Sequence, residues 1–281
     1  MVEVVKSGFY DTIQDLGRMG YQKYGVPYSG VMDHHAASLA NGLLGNGEEA
    51  ALMEITMFGP SLKFHCYSAI CISGANLSPN LNGDPIELNR VVKIKPKDVL
   101  SFGKLNYGFR CYLAVSGGFK TEQVMDSFSM YKGITKKFRL NNKEIIPISE
   151  ITVFNVKYAS VRINNSYLHT DTVEVFKGPE FDKLTKQQEE FLFSTEFTIS
   201  KDNSRMAYQL EQTLENRLEP IITSLVLPGT VQLTPAGKLI VLMRDCQTTG
   251  GYPRVLQLKE TSLDVLAQKF TGKTVRLQLI D

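Results

Sequence analysis

Two glycine-dense polar stretches hold most of the residues whose types and spacing suit chemistry. The first is DTIQDLGRMGYQKYGVPYSGVMDHH, Asp11 to His35. Glycine costs conformational entropy and buries no side chain, so such a run reads as loops shaped for a purpose. It feeds a helix whose first amides have no intrahelical acceptor, and these, with Tyr28 and Ser29, could bind a carboxylate, a carbonyl oxygen or a phosphate. Arg18 could add a charged fork for a carboxylate. The competing reading has Asp33 satisfying those amides and Arg18 pairing with Asp11 or Asp15. The second stretch is DCQTTGGYPRV, Asp245 to Val255. Gln247, Thr248 and Thr249 offer uncharged donors and acceptors, and Gly250-Gly251 lets a ligand approach the backbone. That set suits a neutral amide or ureido head; it equally suits a hairpin loop whose hydroxyls cap their own backbone. Arg205 in SRMAYQLE could hold an anion, although pairing with Glu211 is the favoured reading. VSGGF, Val115 to Phe119, reads as a tight corner at a strand end.

Other chemistries lack their residues. There is no GxxxxGK[ST], no strand-linked GxGxxG and no GxSxG. Cys66, Cys71, Cys111 and Cys246 show no CxxC spacing, and His34, His35, His65 and His169 have no ligand-like spacing, so no metal site is expected. The cysteines read as small buried hydrophobes. A net charge of +2 gives no ground for a nucleic-acid or membrane-surface partner. No apolar run approaches the ~20 residues that span a bilayer. No basic-then-apolar leader is visible, and a cytoplasmic protein is expected.

The elements that must position these residues are mostly strands. YSAICIS (67–73), VVKIKP (91–96), FRCYLAV (109–115), SEITVFNV, VEVFKG, RVLQL and TVRLQLI carry alternating or continuous apolar patterns. TVQLTPAGKLIVLM reads as a hairpin turning at Thr234 to Gly237. Three helices are expected: one capped by Asp33 and stopped at Gly45-Asn46, one over Thr185–Ser194, and one over Ser262–Phe270. SRMAYQLEQTL (204–214) reads as a helix or an irregular turn. Many short strands with few helices indicate antiparallel barrels or sandwiches. A chain of 281 residues with 43% hydrophobic content is expected to form two β-rich domains, residues 1–172 and 173–281.

TIQDLGRMGYQKYGVPYSGVMD, LANGLLGN, ALMEITMFGPSLKF, YLAVSGGF, PGTVQL, DCQTTGGYPRV and LDVLAQKFTGKTVRLQLI together resemble the 5-oxoprolinase C-subunit family. It is also known as the biotin-dependent carboxyltransferase or allophanate hydrolase subunit 2 family, and it includes a kinase anti-inhibitor. Two departures stand out: Asp126 and Phe128 occupy positions where glycine and arginine are expected, and Ser204-Arg205-Met206-Ala207 replaces D-R-M-G. The resemblance implies two cyclophilin-like β-barrel domains with a few short helices. It implies a component of an ATP-dependent complex that opens 5-oxoproline to glutamate. The partners in that complex are the B subunit (a kinase-inhibitor-like protein) and the A subunit, with ATP and Mg held by the assembly. It also leaves two alternatives: carboxyl transfer with a separate biotin carrier, and a non-catalytic protein that sequesters a kinase inhibitor. Within the first reading, Arg18 or Arg205 would take the substrate carboxylate, Ser29 and amides near Asp33 would face the reacting oxygen, and Asp33 could act as a base. Gln232, Gln247, Thr248, Thr249, Gly250 and Tyr252 would surround the cyclic amide.

Overall fold

The computed structural model describes residues 1–151 and 163–280, so the end of SEITVFNV lies outside the described residues. The chain divides into two compact units, Met1–Gly17 with Asp33–His169, and Arg18–Met32 with Thr170–Asp281. A single cut after residue 172 is therefore not how the chain divides. The segment Arg18–Met32 joins the second unit because its backbone bonds there: the Ser29 amide donates to Arg244 O at 3.0 Å.

The first unit contains β1 (Val2–Lys6), β2 (Tyr10–Gln14), α1 (His34–Leu44), β3 (Leu52–Thr56), β4 (Ser61–Phe64), β5 (Ser68–Asn76), β6 (Asn80–Leu81), β7 (Asp84–Pro85), β8 (Val92–Ile94), β9 (Val99–Ser101), β10 (Tyr107–Val115) and β11 (Ile145–Ile146). They form a six-stranded sheet, β11-β1-β4-β9-β6-β7, and a five-stranded sheet, β2-β3-β10-β5-β8. Ile13, Met53, Ile55, Phe64, Ile72, Leu113 and Ile146 lie in one buried cluster; burying each such side chain contributes ~1.5–3 kcal/mol. Asp33 caps α1 as its sequence predicts, accepting from the Ala36 amide, and Gly45 ends the helix at φ 72°. Gly74, at φ +85°, sits where the register between β5 and β10 slips, and a Cβ there would lie 2.6 Å from Arg110 O.

The second unit contains β12 (Thr172–Lys177), α2 (Lys186–Ser194), β13 (Glu196–Asn203), β14 (Ala207–Thr213), β15 (Ser224–Leu225), β16 (Thr230–Leu233), β17 (Lys238–Leu242), β18 (Thr249–Gly250), β19 (Arg254–Leu258), α3 (Glu260–Ala267) and β20 (Thr274–Leu279). Seven strands close a barrel in the order β12-β19-β16-β17-β14-β13-β20, and β15 pairs with β18 as a separate ribbon. Closure comes from one parallel pair, β12 with β20, which removes the sheet edges. Val231↔Val241 and Leu233↔Leu239 face one another across β16–β17, and all four are buried. The expected turn is present, Gly237 N donating to Thr234 O at 2.9 Å. Thr185 and Gln188 form a capping box at α2. The stretch 204–214 is neither helix nor irregular turn: most of it is β14, fixed between β13 and β17. The expected mainly β architecture is thus observed, with one closed barrel in the second unit and two open sheets in the first.

Candidate functional site

Residues 18–32 of the early glycine-dense stretch belong to the same unit as the late one, and the two meet at Arg244–Asp245. Arg205, in the turn between β13 and β14, is what joins them. Its Nε and Nη2 donate to Asp245 Oδ2 and Oδ1 at 2.9 and 3.0 Å, and Nη2 also donates to the Gly30 carbonyl. The Asp245 amide donates back to Arg205 O at 2.9 Å. Arg205 is 7% exposed, so this is a buried, bidentate, charge-assisted clamp. The favoured sequence partner, Glu211, is corrected: Asp245 holds Arg205, forty positions along the chain. Ala207 opens β14 opposite Leu242 in regular strand pairing, so the glycine expected there is not required by the backbone.

The clamp fixes the backbone that carries Ser29. Ser29 has φ +57°, a left-handed conformation that costs of order 1–3 kcal/mol for a non-glycine residue. Its side chain is buried, and its Oγ has no hydrogen-bond partner among the described residues. Gln232 on β16 presents a second such group. It is 2% exposed, and its Nε2 has no partner among the described residues. Its Oε1 faces Gln247 Nε2 at 3.5 Å, a marginal distance. A Cβ on Gly250 would lie 2.4 Å from Gln232 Nε2, so glycine at 250 leaves room for that amide. Native proteins rarely bury donors without acceptors, and Ser29 Oγ and Gln232 Nε2 are two such groups in the second unit.

The rest of the late ribbon is held through its backbone. Thr248 O accepts from the Val226 amide at 3.1 Å, Thr249 pairs with Leu225 and Gly250 with Ser224 in the β15–β18 ribbon. Thr249 and Tyr252 are exposed, while Gln247 and Thr248 are half-buried. Arg254 anchors the ribbon from below: Nη1 donates to Leu225 O at 3.0 Å, and Nε and Nη2 grip Glu180 at 3.0 and 2.9 Å. The Arg254 hydrogen bonds hold the Glu180 carboxyl below its ordinary range. Beside the site, burial pushes the Cys246 thiol up to about 12, so it stays protonated and is no nucleophile at neutral pH. All four cysteines are free and buried, as their scatter predicts.

Arg18 is fully buried, the bulkiest of the fully buried side chains. Its amide donates to Tyr28 O, and Gln22 Nε2 donates to Arg18 O, each at 2.6 Å. The guanidinium is thus withdrawn from solvent, and any carboxylate it takes must be met inside the fold.

Asp33 belongs to the first unit and caps α1. Its Oδ1 accepts from Ala36 N and its Oδ2 from the Tyr167 hydroxyl, both at 2.8 Å. The Asp33 amide donates to Tyr112 Oη at 2.8 Å, and that hydroxyl donates to Glu54 Oε2 at 3.0 Å. Thr12, Glu54 and Tyr112 lie side by side across β2, β3 and β10. This buried polar row escaped the sequence reading; the signal was the polar alternation of YDTIQ and LMEIT inside otherwise apolar strands. The partners of Arg244 and Asp245 were equally hidden, since the two are adjacent at the end of an apolar strand and nothing local names what they bind. Arg244 Nη2 donates to Glu260 Oε1 at 2.6 Å, while Asp245 takes Arg205.

The departure at MDSFSM also has a structural account, within the first unit. Met125 and Asp126 have φ +53° and +59°, so Asp126 keeps the left-handed turn that a glycine would make, a conformation aspartate tolerates. Ser127 and Ser129 donate to Asp15 Oδ1 at 2.7 and 2.6 Å, and the Phe128 amide donates to Asp15 Oδ2 at 2.6 Å. The two serines are thus spent on holding the loop to Asp15.

Comparison with known proteins agrees with this architecture. Residues 24–279 match the family model described as carboxyltransferase domain, subdomain A and B. The 5-oxoprolinase C subunit of Escherichia coli (strain K12) is 28% identical over 282 residues, 98% of this chain and 90% of that protein. The urea amidolyase of Lachancea kluyveri is 42% identical over 130 residues, 46% of this chain and 7% of that protein. Among solved structures, TTHA0988 superposes with a TM-score of 0.87 at 24% identity, over 99% of this chain and 55% of that one. The chain spans about half of that neighbour, and the likeness is one of fold.

Proposed function

Because the chain belongs to the carboxyltransferase domain family, subdomains A and B, we propose that it is the C subunit of an ATP-dependent 5-oxoprolinase complex, acting with the B and A subunits. The observation that carries the reading is the pair of buried donors without acceptors, Ser29 Oγ and Gln232 Nε2. The lactam and its ring-opened product are rich in carbonyl and carboxylate oxygen. The name of the substrate comes from relatives matched along nearly their whole length.

In this reading Ser29 and Gln232 donate to oxygens of the bound lactam, one of them stabilising charge as it develops on the carbonyl. Arg205 and Asp245 act one step back, as positioning residues that hold the Gly30 carbonyl and the Ser29 backbone. Thr249 and Tyr252 supply the exposed rim. Among the described residues no three His, Cys, Asp or Glu side chains gather as a metal site, and the chain has no glycine-rich loop bearing a phosphate-binding lysine. In this reading ATP and Mg are held by the assembled complex.

The test is reconstitution with the partner subunits and measurement of ATP hydrolysis stimulated by 5-oxoproline. Ser29→Gly removes the hydroxyl while relieving the left-handed backbone, and Gln232→Leu replaces an unpaired amide by an apolar group of similar size. Both variants fold at least as well as the parent if their groups serve only the ligand. Each should lose ~10-fold or more of the stimulated rate, as should Thr249→Ala. Full stimulated activity in both Ser29→Gly and Gln232→Leu would sink the assignment.

The higher identity to part of urea amidolyase favours one second reading, carboxyl transfer to a urea-like acceptor from a biotin held on a separate carrier. The same two donors suit an ureido carbonyl. A biotinylated protein retained with the chain, and no lactam-stimulated hydrolysis, would select it. A tight complex with the B subunit and neither activity would select sequestration of a kinase inhibitor.

A further inference from the structure

The first unit contains a pocket of about 270 Å³ that shares no residue with the candidate site. Its apolar surface comes from Phe128, Met130, Leu140, Ile145, Ile146 and Pro147. Met130, Leu140 and Ile146 are part of the buried core cluster, and Phe128 packs against it, so the floor is rigid. The aromatic wall is equally fixed, because the Phe128 amide and both flanking serines are tied to Asp15. The volume lies just below the ~300 Å³ at which drug-sized sites begin, which suits a short-chain ligand.

The polar rim decides the sign of that ligand. Lys120, Glu122, Lys136, Lys137 and Glu144 stand around the pocket. Glu122 accepts from the Lys136 amide at 3.0 Å and pairs with Lys136 Nζ at 3.4 Å. The Lys136 amide holds the Glu122 carboxyl below its ordinary range, so Glu122 stays charged and engaged. Glu144 pairs with Lys137 at 3.3 Å and accepts from Asn141 Nδ2 at 3.0 Å. Thr135 Oγ1 is bonded within its own turn, donating to Lys137 O at 2.6 Å. Once these pairs are set aside, one lysine charge remains among the described residues of the rim, that of Lys120. Beside it Thr121 Oγ1 is buried without a hydrogen-bond partner among the described residues. An apolar hollow with one surplus cation and one unused hydroxyl complements a molecule with an apolar body and a single negative head.

We propose that this pocket is a second ligand site, one that takes a small monocarboxylate with an aliphatic body, its carboxylate on Lys120 and Thr121 and its chain along Phe128 and Ile146. The role of Phe128 follows. At a position where the family resemblance leads one to expect a cation, an aromatic ring lines an apolar pocket whose charge is placed at the rim instead.

The test is titration calorimetry of the full chain with octanoate, and with octylamine and octanol as cationic and neutral counterparts of the same chain. Octanoate should bind saturably with a Kd below ~1 mM, at least ~10-fold tighter than either counterpart. Lys120 is exposed, so Lys120→Glu leaves the fold intact, and it should weaken octanoate by ~10-fold or more while leaving octanol unchanged. Phe128→Ser should weaken octanoate and octanol alike. Equal affinity for octanoate and octylamine, no saturation by octanoate, or an unchanged octanoate Kd in Lys120→Glu would each overturn the proposal.

Discussion

Replacing Arg205 by methionine tests whether the clamp is what holds the early ribbon on the barrel unit. Methionine keeps the length and apolar stem of arginine and removes the guanidinium. The loss has two parts: the bidentate pair with Asp245 at 2.9 and 3.0 Å, and the donor to Gly30 O. Removing one partner of a buried pair costs ~3–5 kcal/mol, because the remaining charge is left without compensation. A carbonyl deprived of its donor adds up to ~1–3 kcal/mol, and the two are not additive since they share one side chain. A local cost of ~4 kcal/mol corresponds, at ~1.4 kcal/mol per decade, to protection lowered about a thousandfold. Hydrogen exchange reads this directly, since the Ser29 amide is bonded to Arg244 O and the Asp245 amide to Arg205 O. Peptides covering residues 18–32 and 243–248 should exchange far faster in Arg205→Met, and peptides from β5 and β10 should not change. The double variant Arg205→Met with Asp245→Leu removes the stranded charge and should regain most of the protection. Wild-type exchange across residues 18–32 in Arg205→Met, or no recovery in the double variant, would refute the clamp.

Three further outcomes follow from other sites. Burial raises the Asp11 carboxyl from 3.8 to about 7, so the folded chain keeps a proton that the unfolded chain releases between those values. Its contribution is therefore full below pH ~4, declines as pH rises to ~7 and is flat beyond, amounting to at most ~4 kcal/mol; Asp11→Asn should flatten this part of the stability profile and raise the urea midpoint at pH 8. Gly250→Ala places a methyl 2.4 Å from Gln232 Nε2, so it should displace that amide and lower lactam-stimulated turnover by ~10–100-fold while the melting temperature stays near that of the parent. Tyr167→Phe removes the donor to Asp33 Oδ2 and should cost ~1–3 kcal/mol in denaturant titration, with faster exchange at the start of α1.

Local signals were readable in the chain and distant ones were not. Asp33 and Gly45 bracket α1, Thr185 and Gln188 open α2, and Thr234 to Gly237 turn the β16–β17 hairpin, all through neighbours within a few residues. The third helix was displaced: it runs over Glu260–Ala267 rather than to Phe270. The strand over 207–213 carries only weak apolar spacing, and its place is set by β13 and β17 on either side. The same limit hid the partner of Arg205, since Glu211 is near in sequence and Asp245 is near only after the barrel closes. At the site, the glycine-rich stretches announced themselves by composition, and residue type singled out Ser29 and Gln247. That Arg18 would be wholly buried, and that Asp33 would also accept from Tyr167, depends on packing that no spacing rule carries.

The path of the chain has a consequence for its own manufacture. Residues 18–32 leave the first unit, join the second and return before α1 begins. On a ribosome they emerge early, yet the arginine and aspartate that receive them are made some two hundred residues later. The opening segment must therefore wait, exposed, until nearly the whole polypeptide has been synthesised, and neither half can be finished by cutting the gene at one point. Separate production of the C-terminal half would need the early segment supplied as a fused or added peptide.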